Sequence, residues 1–189
     1  MSVMSRAGLR GAGWLAMASA LASLPFFLWS VQNQGKSDPQ AIMTTAGMQA
    51  VGTGIFVLLM LLLRRFLRLR CSFSAADRVI ALMIISNVTI CLFTLATIVI
   101  PSLDQSAAAV EIITVVAFGL CQFRLGFLLL SLSDDLLGMR IPYAYLNMMT
   151  GICLASVLLV PIAVILSAIA DVMLGTIFLQ AARSIDTTV

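Results

Sequence analysis

Histidine is absent from this 189-residue chain, and lysine occurs once, at Lys36. Without an imidazole there is no His-ligated haem, no common zinc site and no His-based acid–base or nucleophilic mechanism. With its only lysine in the polar connection Gln34-Gly35-Lys36-Ser37-Asp38-Pro39, the chain has no helix-buried lysine for a retinal-type Schiff base. Cysteine is sparse too. Cys71, Cys91, Cys121 and Cys153 stand far apart, with no C-x-x-C pair for disulfide exchange or metal binding. No G-x-x-x-x-G-K-[ST] loop is present to cradle a nucleotide. Asp134 and Asp135 are adjacent in a short turn before Arg140, and two carboxylates without further ligands make a poor metal site. No catalytic residue, cofactor or metal is expected, and the chain reads as a non-enzyme.

Charge is scarce in general. Only 10% of residues are charged and 61% are hydrophobic, against about 25% charged in an ordinary soluble domain. A soluble fold of this size has no place to hide so much apolar surface, whereas a membrane protein turns it into lipid. The expectation is one all-α, polytopic transmembrane bundle spanning residues 1–189, in contact with a lipid bilayer and with no nucleic acid partner. The net charge of +3 needs no anionic partner, because topology accounts for the basic residues.

Apolar stretches at Ala12–Val31, Ala41–Leu63, Val79–Ile100 and Ile112–Leu132 are each near the ~20 residues that cross ~30 Å of hydrocarbon. Pro101 ends the third. Tyr143 to Ala182 carries one charge, Asp171, and as a single helix would be ~60 Å long. It is expected to fold back near Pro161 into spans Tyr143–Val160 and Ile162–Ala182, giving six spans. Five spans, the last broken and tilted, is the alternative. In the six-span arrangement Arg6, Arg10, Arg64, Arg65, Arg68, Arg70, Arg78, Arg140 and Arg183 share one side and Lys36 stands on the other. Basic residues accumulate on the cytoplasmic face, which places both termini there, with a bacterial inner membrane as the default location. Trp14 and Trp29 fall at the two ends of the first span, and Tyr143 and Tyr145 at the start of the fifth, where amphipathic rings favour an interface.

Small residues at four-residue steps, Ala12, Ala16 and Ala20 in the first span and Ala46, Ala50 and Gly54 in the second, allow close helix approach. They suggest a tight hairpin between these two spans, or docking of a partner helix. The arginine-rich loop holding Arg64, Arg65, Arg68 and Arg70 reads as a topological anchor, with contact to anionic lipid or an acidic partner as the second reading.

Polar groups inside spans are candidates for function. Asn87, Cys91 and Thr94 lie along one face of the third span. The fourth carries Glu111 and Gln122 on one face and Arg124 on another, and Glu111 is read as a solvated or headgroup contact. The sixth carries Asp171 in the stripe Ala163, Ser167, Asp171, Gly175. Arg124 and Asp171 come to comparable depth, so an ion pair between them is expected. The candidate polar site is Arg124, Asp171, Gln122 and Asn87. The leading functional reading is a non-catalytic structural or accessory subunit of a membrane assembly, homo- or hetero-oligomeric. The alternative is a small-solute or ion transporter or channel subunit built around the Arg124–Asp171 pair.

Overall fold

A computed structural model describes residues 5–33, 39–100 and 104–184. These form six α-helices, α1 Arg6–Asn33, α2 Pro39–Cys71, α3 Asp77–Val99, α4 Asp104–Leu130, α5 Arg140–Ala155 and α6 Val160–Ser184, with a short 3-10 turn at Leu136–Gly138. No strand occurs among the described residues. Lys36 with its connection, and Pro101, lie outside them.

Five helices are long and apolar enough to cross a membrane, as a multi-pass membrane protein requires. The exception is α5. Its 16 residues extend roughly 24 Å, short of ~30 Å of hydrocarbon. The tail folds back as expected, but the reversal lies at Ser156–Leu159, a few residues earlier than proposed. There Val157 adopts a left-handed φ of 60°, and the Ser156 hydroxyl accepts the Leu159 N–H at 3.3 Å. Pro161 instead occupies the first turn of α6, where its missing N–H costs no intrahelical bond.

Each helix packs on its neighbours in sequence, and α1 closes on α6, so the six form a ring. The α1–α6 and α4–α5 contacts are the most extensive. Both rest on glycine. A Cβ on Gly13 of α1 would come within 2.9 Å of the Gly175 carbonyl of α6. One on Gly151 of α5 would come within 2.5 Å of the Gly119 carbonyl of α4. Without side chains at these points, backbone meets backbone, the close packing that holds helices together where lipid removes the hydrophobic drive.

This corrects the small-residue reading. Ala12, Ala16 and Ala20 are buried as their spacing implies, but their partner is α6 rather than α2. A small face specifies the distance of approach, and α6 offers the complementary one around Gly175. On α2, Gly47, Gly52 and Gly54 have nothing within 4 Å of a built Cβ.

The arginine segment is also different from expectation. Arg64, Arg65, Arg68 and Arg70 belong to the last turns of α2 rather than to a loop. Loss of hydropathy marks where lipid ends; arginine and leucine continue a helix well, and basic residues suit its C-terminus. Arg64 Nε donates to Asp77 at 2.9 Å, and Arg68 Nε to the same carboxylate at 2.6 Å, tying α2 to the first turn of α3. Arg70 reaches Asp134 at 3.9 Å, bonds Ser184 Oγ at 3.3 Å and lies over the Phe66 ring. The ends of α2, α4 and α6 therefore meet on one face. Arg65 is exposed.

Candidate functional site

The interior of the ring holds a cavity of about 220 Å³. Its polar wall comes from four helices: Asn87 on α3, Gln122 on α4, Tyr143 and Asn147 on α5, and Ser167 and Asp171 on α6. Phe56 and Met60 of α2, Met83 of α3 and Phe118 of α4 supply an apolar wall. Phe56 and Phe118 touch across the ring, with centroids 5.5 Å apart. The cavity runs along the first half of α6, from Ala163 in its first turn to Asp171 near its middle.

Helical periodicity explains why these residues converge. On α4, Gln122 shares a face with the buried Leu125, Gly126 and Leu129, so burying that stripe carries the amide inward. Gln122 is 6% exposed, and its Oε1 has no hydrogen-bond donor among the described residues. Asn87 is carried in by the stripe with Met83 and the buried Cys91, and its Oδ1 likewise lacks a donor. An orphaned buried carbonyl oxygen is uncommon, because leaving it unsatisfied costs about 1–3 kcal/mol.

Asp171 has one side-chain partner among the described residues: the Ser19 hydroxyl of α1 donates to its Oδ2 at 3.1 Å. The expected ion pair with Arg124 does not form among the described residues. Arg124 is exposed on the outer face of α4 and is not part of the cavity wall. The physical reason is angular. Two residues along a helix amount to about 200° of rotation, so turning Gln122 inward turns Arg124 outward, whatever their depths.

Of the four residues singled out in the sequence, the structure thus brings together Asp171, Gln122 and Asn87, and leaves Arg124 outside. Sequence reasoning missed Tyr143, Asn147 and Ser19. Tyr143, expected at an interface, is buried and lines the cavity, while Tyr145 is exposed. The signal was present: Tyr143, Asn147 and Gly151 recur at four-residue steps on one face of α5. Asn147 Nδ2 donates to the Tyr143 carbonyl at 2.8 Å, spending one of its donors locally. Glu111, expected in solvent or headgroups, is half-buried, its Oε1 lying 3.0 Å from the Thr94 hydroxyl of α3. The four cysteines are free, and no group of three His, Cys, Asp or Glu side chains converges on a common point among the described residues.

No family model, curated protein or solved structure matches this chain. The cavity geometry therefore carries the functional reading by itself. It offers one carboxylate and several amides and hydroxyls inside an otherwise apolar bundle, without a nucleophile–base pair.

Proposed function

We propose that this chain is a small-solute transporter or channel component, non-catalytic, whose binding site is the cavity enclosed by the helix ring. The observation carrying this reading is a cavity inside the helix bundle lined by the Asp171 carboxylate together with the Asn87, Gln122 and Asn147 side chains. An ionisable group and several amides gathered around a space inside a membrane bundle are costly to keep there, and such intramembrane groups mark solute paths. The excess of arginine at the end where α2, α4 and α6 meet supports placing that end on the cytoplasmic side of the membrane.

The test is water access. Ser167 replaced by cysteine in a cysteine-free background should react with a membrane-impermeant thiol reagent applied to one face of the membrane. Complete protection from both faces in native membranes would remove the transport reading.

A second reading has an observation of its own. The small-residue face of α2 around Gly47, Ala50 and Gly54 is open, with Ala50 and Gly54 exposed, as an accessory subunit needs for docking another helix. Cysteine crosslinking from Ala50→Cys in native membranes should trap a neighbour if this face serves assembly. An uncrosslinked single chain would argue against it.

A further inference from the structure

We infer that the cavity takes a small organic cation, a primary ammonium or comparable head on a short apolar body. This rests on the cavity being a solute site, and adds the class of solute.

Charge comes first. Asp171 is the only charged side chain in the cavity wall. An ionised carboxylate offers about four lone-pair sites, and the Ser19 hydroxyl occupies one of them. No lysine or arginine lines the space, and Arg124 faces away. An anion would therefore meet a like charge with nothing to offset it.

Hydrogen-bond complementarity narrows the choice. The Asp171 carboxylate can only accept, and the Ser19 hydroxyl is its one side-chain donor among the described residues, so its remaining lone pairs are unmet. A primary ammonium presents three donors and no acceptor, so it can satisfy these lone pairs without introducing new unmet ones.

The apolar part of the lining separates an organic cation from a metal ion. Phe56, Phe118, Met60 and Met83 give a dehydrated metal ion no oxygen ligand, but aromatic faces attract an ammonium and thioethers accommodate alkyl carbon. The volume of about 220 Å³ equals that of roughly seven liquid waters, ample for a short alkyl chain and far more than a bare ion fills.

The experiment uses the full chain in nanodiscs of neutral phosphatidylcholine, titrated with butylammonium, butyramide and butyrate, with empty nanodiscs as the lipid control. Butylammonium should raise the midpoint of thermal unfolding saturably, and butyramide and butyrate should not. Asp171→Asn, which preserves shape and an acceptor for Ser19, should abolish the effect. Gln122→Leu should weaken binding by about tenfold or more, the scale of one hydrogen bond to a charged group. Either variant must first show a cooperative unfolding transition of its own. Equal binding of butyramide, or butylammonium binding that survives Asp171→Asn, overturns the cation assignment while leaving a solute site. If none of the three binds, the assignment also falls, and thiol labelling at Ser167→Cys then decides separately whether water enters the cavity.

Discussion

Divided across its long axis, the bundle has two unlike halves. Toward the arginine end, α2 buries Met60, Leu63, Phe66 and Leu67, and these meet Ile80 and Met83 of α3, Leu129 of α4 and Phe178 of α6 in one continuous core. Toward the other end, none of residues 40–58 of α2 and none of residues 108–118 of α4 is buried. The cavity sits where the first half gives way to the second. Large apolar side chains and ion pairs concentrate rigidity at one end, so that room and unmet polar groups can be tolerated nearer the middle. Sites that bind and release need that looser environment, and elements of low local stability tend to supply it.

The sharpest way to break the comparison is to damage the packed half. Phe178, fully buried and edge-to-face with Phe66 at 5.6 Å, should cost about 3 kcal/mol when changed to alanine, the low end for such truncations because separated helices keep an apolar lipid environment. Denaturant unfolding in detergent micelles checks this, and a loss under 1 kcal/mol would mean the two halves are equally tight. Next in size is Gly151→Ala, at a tight helix contact outside that half. Its Cβ would stand 2.5 Å from the Gly119 carbonyl, so α4 and α5 must part, at about 2 kcal/mol, with a matching fall in the thermal midpoint.

The cavity and the open face of α2 should respond with the opposite sign. Asp171→Leu removes a carboxylate from the bundle interior and fills part of the cavity, so it should stabilise by about 1 kcal/mol while ending solute binding. A destabilised variant would mark Asp171 as structural. The smallest effect is expected at Gly54 of α2, open on all sides. Gly54→Ala should gain about 0.5–1 kcal/mol from helix propensity alone, and a loss in native membranes but not in detergent would reveal a partner helix on that face.

Much of this fold was legible in the sequence, because lipid demands long apolar helices and those demands are written as runs free of charge. The reversal before α6 followed from length alone, since forty apolar residues cannot cross as one helix. Partner choice was less legible. Ala12, Ala16 and Ala20 announced a close contact but could not name α6, as many helices carry small residues. At the site, Asp171, Gln122 and Asn87 stood out as polar groups in lipid. Arg124 was read on a different face from Gln122, but its pairing with Asp171 rested on depth, which does not say which of the two faces turns inward. Tyr143 was misread because an aromatic near a helix start fits an interface as well as an interior, and only the stripe it shares with Asn147 distinguishes the two.

The contact between Gly13 and Gly175 also has a consequence in time. A ribosome adding about 5–20 residues per second delivers α6 many seconds after α1 has entered the bilayer. Through that interval the alanine face of α1 and the Ser19 hydroxyl lack the helix they will finally meet. A nascent chain arrested before α6 would leave that face uncovered in lipid, a recognisable mark of an unfinished molecule for the membrane's proteases and insertion chaperones.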